Sequence, residues 1–304
     1  MDPLSLVGIA VILVAVALMY LKRFGVTQLL IAACLVVFVL EMLSQRGFTL
    51  SDLSYSQVSL DLSYRTIYLQ QGTNLETIFT SMFVHANFLH IVGNILFMFL
   101  IGVQLEDRIG KRNYFVVYFV AGFAAVLAES AFLWGAPANT TLLLGASGAI
   151  SGTMGTILIL YPRDKIPMLV GPIFMPAVSV WIAVGAWFGL QLVEIYAYGM
   201  NSGTAFGAHL GGFLAGIVIA ELLPKPKKRE SVKELNLEQL EPLATTPQLK
   251  NALEHLKGEK EAAVRDAWLD YFAKHARCPR CSSALSFKGS KLKCDSCEYE
   301  VDLK

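Results

Sequence analysis

The sequence predicts an all-α polytopic membrane protein that ends in a small water-soluble tail. Two observations predict it. Seven apolar stretches are long enough, or nearly so, to cross a hydrocarbon core of ~30 Å as helices. The charge is also partitioned: positions 1–223 hold 9 Lys/Arg and 11 Asp/Glu, while positions 224–304 hold 16 and 13. The averages over all 304 residues (55% hydrophobic, 16% charged, net charge +1) describe neither part. The first part is too apolar for an ordinary soluble globule and the second too charged for lipid. A single soluble enzyme is excluded, and so is a nucleic-acid binder that works through bulk positive charge.

The apolar stretches are 4–21, 26–43, about 80–104, 114–134, 145–161, about 174–198 and 204–223. Asp2 precedes the first and Lys22 and Arg23 follow it, the reverse of a signal peptide's charge order, so an uncleaved anchor is expected. Alternate connections carry Lys22–Arg23, Arg108–Lys111–Arg112, Arg163–Lys165 and Lys225–Lys227–Lys228–Arg229, whereas the opposite set carries only Arg46 and Arg65. By the positive-inside rule the N-terminus lies outside the cell membrane and the tail lies in the cytosol. The 44–79 connection is too polar to span and too rich in Leu, Tyr and Ile for a plain linker; an amphipathic segment at the membrane surface is expected.

Polar groups inside spans are costly, so each is a functional candidate. They are His85, His90 and Asn94 in the third span, Ser147 and Ser151 in the fifth, and His209 in the seventh. Asn94 precedes Arg108 by 14 residues, Ser147 precedes Arg163 by 16, and His209 precedes Lys225 by 16. At 1.5 Å per residue these separations are roughly 21–24 Å. All three sites therefore fall about 6–10 Å below the outer surface of the core.

That common depth suits nucleophilic chemistry. Ser147 lies in Gly145-Ala146-Ser147-Gly148 at the outer end of its helix, where free backbone N–H groups and the helix dipole favour developing negative charge. A serine hydroxyl needs a base, and His209 is at matching depth. His90 and Asn94, four residues apart, share a helix face and can donate to one oxyanion. Gly148, Gly152 and Gly155 on one helix, and Gly212 and Gly216 on the other, permit close backbone approach. The plainer readings are helix packing for the small residues and a capped hydrogen bond for His85. Glu41, Glu129, Glu194 and Gln191 are read as structural pairs, and Cys34 as packing.

The run Gly145-Ala146-Ser147-Gly148-Ala149-Ile150-Ser151-Gly152 resembles the serine-bearing helix of rhomboid intramembrane proteases. Ala208-His209-Leu210-Gly211-Gly212 with Gly216, His85-Ala86-Asn87-Phe88-Leu89-His90 with Asn94, and Leu105-Glu106-Asp107-Arg108-Ile109-Gly110 resemble three further motifs of that family. The resemblance covers roughly 26–223. It implies a six-helix core plus one extra N-terminal helix, and a Ser147–His209 dyad without a third acid. It also implies an oxyanion hole from His90, Asn94 and the Ser147 N–H, no catalytic cofactor, and transmembrane proteins as substrates. Two positions depart from the family pattern. Leu75-Glu76-Thr77-Ile78-Phe79 replaces a frequent Trp-Arg pair, and Ser151 replaces a frequent aromatic that stacks on the histidine. A catalytically inactive relative that escorts membrane-protein clients is the alternative; a transporter would show inverted repeats, which the halves lack.

In the tail, Thr246-Pro247 reads as a helix start, with Leu249, Ala252, Leu253 and Leu256 at helical spacing. A second amphipathic helix over 262–276 presents Val264, Trp268, Tyr271 and Phe272. Cys278-Pro279-Arg280-Cys281 and, twelve residues later, Cys294-Asp295-Ser296-Cys297 have the spacing of a four-thiolate zinc ribbon. The zinc is expected to be structural, with His275 not needed as a ligand. Lys225 to Arg229 favour contact with anionic lipid. Lys288, Lys291 and Lys293 permit nucleic-acid contact, but sparse aromatics favour a protein partner for the ribbon. The expected organisation is 1–25 extra transmembrane helix, 26–223 core, 224–246 basic linker, 247–277 helical segment and 278–304 zinc ribbon.

Overall fold

Pro3 at the first helical position, with the Asp2 carboxylate accepting from the Leu4 N–H at 2.8 Å, starts helix α1 (Pro3–Tyr20). The computed structural model describes residues 1–21, 24–45, 52–134, 142–170, 173–198, 204–225, 235–259, 262–288 and 290–303. Lys22, Arg23, Arg46, Lys227, Lys228 and Arg229 lie outside them. Contacts divide the chain into two units, Met1–Lys225 and Pro226–Lys304.

In the first unit α1 packs on α2 (Val26–Ser44). The start of α2 is held from a distance. The Glu106 carboxylate accepts from the Val26 N–H at 2.7 Å, the Thr27 N–H at 2.8 Å and the Thr27 hydroxyl at 2.7 Å, satisfying donors that the helix itself leaves free. The 44–79 connection is more than an amphipathic surface segment. It forms α3 (Gln57–Leu62), strand β1 (Tyr64–Arg65), α4 (Thr66–Gln71) and α5 (Thr77–Thr80), and buries Leu53, Val58, Leu62 and Tyr64. Enough of its apolar residues sit at helical spacing for it to fold onto the bundle. Glu41 of α2 braces it, accepting from the Ser59 hydroxyl at 2.5 Å and from the His85 N–H.

A 3₁₀ turn (Ser81–Phe83) leads into α6 (Phe88–Phe97), a π-helical stretch (Met98–Gly102) and α7 (Val103–Ile109). The third span therefore begins at Phe88 rather than near 80, because Asn87 caps it by accepting from the His90 N–H at 2.9 Å. α8 (Lys111–Phe132) follows, then strand β2 (Leu142–Leu143), antiparallel to β1, and the short α9 (Ser147–Leu160). The sixth span also starts later than expected. Residues 174–179 belong to a hairpin of β3 (Lys165–Val170) and β4 (Ile173–Ser179), and α10 (Val180–Tyr198) begins where it ends. Pro176, which cannot donate a helical hydrogen bond, favours the strand. α11 (Phe206–Leu222) closes the bundle.

Among the described residues five helices are long and apolar enough to span a membrane: Pro3–Tyr20, Val26–Ser44, Phe88–Ile109, Lys111–Phe132 and Val180–Ala197. The apolar α9 and α11 are shorter. The chain is an all-α multi-pass membrane protein.

In the second unit α12 (Pro247–Gly258) is capped by Thr246 and packs on α13 (Ala262–His275). Two expectations are corrected. Part of the predicted 224–246 linker is a 3₁₀ segment (Leu237–Leu243) whose Leu240 and Leu243 are buried, because leucines recur there at three-residue spacing. The core face of α13 is Leu269, Phe272 and Ala273, with Ala276 just past its end also buried, while Val264 and Tyr271 are exposed. Trp268 stacks on His255 with ring centres 4.6 Å apart. Strands β5 (Leu285–Lys288), β6 (Lys291–Cys294) and β7 (Glu300–Asp302) form an antiparallel sheet in sequence order.

Candidate active site

Helix α9 begins at Ser147 because of the turn before it. Gly145 has φ +114°, a conformation that side chains resist, and a Cβ there would lie 2.7 Å from His90 Nε2. Its N–H donates to the Ser81 carbonyl at 2.9 Å, tying the turn to the segment before α6. The Ser147 hydroxyl thus stands at a helix N-terminus, where backbone N–H groups lack intrahelical acceptors.

Helix α11 brings His209. Its first turn is held by Glu129 of α8, whose carboxylate accepts from the Ala208 N–H at 2.8 Å. Small residues then let α9 and α11 touch. A Cβ at Gly212 would overlap the Gly148 carbonyl oxygen, and one at Gly216 the Gly152 carbonyl oxygen. Gly155 meets the Phe213 carbonyl in the same way. At this separation His209 Nε2 lies 2.8 Å from Ser147 Oγ. A proton can pass across that distance.

His90 and Asn94 line the same cavity of about 740 Å³ as Ser147 and His209. The Ala86 N–H donates to His90 Nδ1 at 3.3 Å, which leaves the proton on Nε2, the edge facing Gly145. The Asn94 amide donates one hydrogen to the His90 carbonyl at 2.9 Å and keeps a second. His85 stays apart. It lies before α6, fully buried, edge-on to His90 at 5.2 Å, and its ring nitrogens make no hydrogen bond among the described residues. The hydrogen-bond cap expected of it is therefore corrected to a packing contact. Ser151 donates to the Ser147 carbonyl at 2.7 Å, back along its own helix, rather than meeting the histidine.

Two neighbours of the imidazole come from α10. The Trp187 ring is 5.4 Å from that of His209, and Gln191 Oε1 is 2.7 Å from His209 Nδ1. Trp187 carries no mark in the sequence, and Gln191 is read there only as a structural pair. The signal available is their four-residue spacing, which puts both on one helix face.

Residues 72–226 match the Rhomboid domain. The chain belongs to the rhomboid family. RHOMBOID-like protein 6, mitochondrial, of Arabidopsis thaliana is 26% identical over 160 residues, covering 50% of this chain and 45% of that protein. Rhomboid protein 1, mitochondrial, of Saccharomyces cerevisiae is 27% identical over 168 residues, covering 54% and 46%. Rhomboid-like protease 3 of Toxoplasma gondii is 30% identical over 145 residues, covering 46% and 48%. The chain spans less than half the length of these rhomboid relatives. The rhomboid match begins inside the 44–79 connection, which here lacks the frequent Trp-Arg pair. Its bracing comes instead from the β1–β2 pairing, from Tyr64 with Ser130 at 2.9 Å, and from the Leu53 N–H on the Ala86 carbonyl at 2.6 Å.

The second unit holds a cluster that can bind a metal ion. The Sγ atoms of Cys278, Cys281, Cys294 and Cys297 all lie within 4.8 Å of one another and none is in a disulfide. The closest pairs are 3.4–3.6 Å apart, near the roughly 3.8 Å that 2.3 Å bonds in a tetrahedron would give. Hydrogen bonds from Ser283, then contacts with Cys294, pull the Cys281 thiol down to about 6. His275 turns away, with Nδ1 2.8 Å from the Tyr271 carbonyl.

Proposed function

We propose that this chain is an intramembrane serine endopeptidase that cuts other transmembrane proteins through a Ser147–His209 dyad. The observation that carries the reading is the 2.8 Å contact between His209 Nε2 and Ser147 Oγ, made by two apolar helices inside one bundle. Family membership agrees with it.

The chemistry runs in two halves. Ser147 Oγ attacks the scissile carbonyl carbon as its proton passes to His209 Nε2. The carbonyl oxygen takes the negative charge and is met by the Ser147 N–H, His90 Nε2–H and the free Asn94 amide hydrogen. The C–N bond breaks and the leaving amine receives the proton from Nε2. Water then attacks the ester, giving its proton to Nε2, which returns it to Ser147 Oγ. Water must reach the cavity, so the polar cluster opens to the bulk at the Ser147 end of α9. The substrate helix has to unwind there, since a helix shields its own carbonyls. α10 is the entry side in this reading; its Trp181, Leu190, Leu192 and Val193 are exposed apolar side chains that a substrate helix could meet.

The alternation of cations supports a topology with this end of the bundle on the extracytoplasmic side of the cell membrane and the tail in the cytosol. In that reducing compartment the four cysteines suit a structural zinc ion, which their thiolates would hold without an open position. Lys291 and Lys293 are paired with Glu300 at 2.9 and 3.1 Å, so they favour a protein partner over a nucleic acid.

The deciding experiment uses the full chain in liposomes with a single-span substrate, and a fluorophosphonate label in parallel. Wild type is expected to cleave and to label; Ser147→Ala and His209→Ala are expected to do neither. Cleavage by Ser147→Ala would remove the reading, and folded wild type that never labels would favour the client-binding relative.

A further inference from the structure

The imidazole facing Ser147 has a second edge, and it is occupied. Gln191 Oε1 lies 2.7 Å from His209 Nδ1. Gln191 is 9% exposed, on α10, a helix other than those carrying the serine and the histidine. Trp187, one turn earlier on α10, packs against the imidazole ring.

A neutral imidazole carries one N–H. To take the Ser147 proton, Nε2 must be bare, so the N–H must sit on Nδ1. A carbonyl oxygen placed against Nδ1 selects that tautomer and fixes the ring's rotation about its side-chain bonds. With the amide turned the other way, its N–H would meet Nδ1, force the histidine proton onto Nε2, and leave Ser147 without a base. A purely structural glutamine would be expected to bind a second group. Here the amide Nε2 has no partner among the described residues, and His209 is the hydrogen bond that Gln191 makes.

We propose that Gln191 is a positioning residue, whose amide oxygen accepts from His209 Nδ1–H and holds the imidazole in the tautomer and orientation that activate Ser147. The inference rests on the dyad reading above. Because glutamine is neutral, it orders the imidazole without strongly favouring the imidazolium, so the base returns readily to its free form after each proton transfer. Of the other titratable groups on the neighbouring elements, His90 acts on His209 across the cavity, Glu129 of α8 accepts from the Ala208 N–H, and Glu194 of α10 accepts from the Thr204 hydroxyl at 2.6 Å.

The test measures fluorophosphonate labelling of the detergent-solubilised full chain as a function of pH, separating the maximal labelling rate from the probe's apparent affinity. Gln191→Leu keeps the bulk and removes the acceptor. It is expected to slow the maximal rate about 10- to 100-fold at unchanged affinity, a share of the 10²–10⁴ that a positioned base supplies. Gln191→Glu keeps an acceptor in the same place. At alkaline pH it is expected to label within about threefold of wild type, with the acid limb of its rate–pH profile moved to higher pH because a carboxylate holds the imidazolium. If Gln191→Leu fails to fold, the Gln191→Glu profile decides alone. A Gln191→Leu rate within twofold of wild type, a loss confined to affinity, or a Gln191→Glu acid limb that does not move would overturn the proposal. Such a result beside an unlabelled Ser147→Ala leaves the dyad standing, whereas labelling of Ser147→Ala at wild-type rate removes both.

Discussion

Gly145 shows how much of the proposed site depends on single atoms that are absent. Its φ of +114° turns the chain so that α9 starts with Ser147, and the space a Cβ would fill is taken by His90 Nε2 at 2.7 Å. Gly145→Ala is expected to cost about 1–3 kcal/mol in backbone strain and to push the His90 ring aside. Labelling of Ser147 should then slow at least tenfold while the protein still folds, a pairing that thermal unfolding and probe kinetics on one sample would read. At this scale the sequence marks Ser147, His209, His90 and Asn94, which line one cavity, as candidates, because an ionisable or nucleophilic residue in an apolar run stands out. Trp187 and Gln191 carry no such mark. A tryptophan in a span is ordinary, and nothing along the chain says that α10 turns that face toward α11.

Elements decide whether those residues meet. α9 and α11 are short for membrane helices but lie backbone to backbone, so Gly212 and Gly216 matter more to the Ser147–His209 contact than helix length does. The expected third and sixth spans were too long for a related reason. Hydropathy counts apolar residues and cannot see that Asn87 caps one helix, or that 174–179 pairs as β4 before α10 begins. Docking of α1 offers an element-scale test. The Asp61 carboxylate on α3 accepts from the Asp2 N–H, the Ser5 hydroxyl and the Gln57 amide at 2.8–3.0 Å. Burial pushes this carboxyl up, but the hydrogen bonds outweigh it and hold it below the usual value. A depressed carboxylate stabilises the fold above its unfolded pKa of about 3.9 and loses that contribution as pH falls through the lower folded value. Asp61→Ala is therefore expected to lower the melting temperature by about 2–4 °C near pH 7. The gap from wild type should close as the pH is taken below about 3.9; a gap that persisted in acid would assign the effect to packing instead.

For the whole molecule the question is how one chain carries two kinds of stability. In the bundle the helices are joined by glycine contacts and by the carboxylates of Glu41, Glu106 and Glu129. The tail is different. Its three strands are three or four residues each and carry one small core in which Cys278, Leu285, Leu292 and Leu303 are buried with the two helices. A sheet that small lacks the buried area to order itself, so four facing thiols are expected to hold it through a bound ion. Removing that ion with a strong chelator should open the ribbon to trypsin at Lys291 and Lys293 and expose four reactive thiols, countable with a thiol reagent. Readdition of zinc should restore protection. Over the same titration the fluorophosphonate rate at Ser147 is expected to stay within twofold, since Ser147, His209, His90 and Asn94, which line the cavity, all belong to the first unit. A parallel collapse of labelling would mean that the ribbon governs the bundle, and would make the tail a regulatory part of the protein rather than a separately stabilised one.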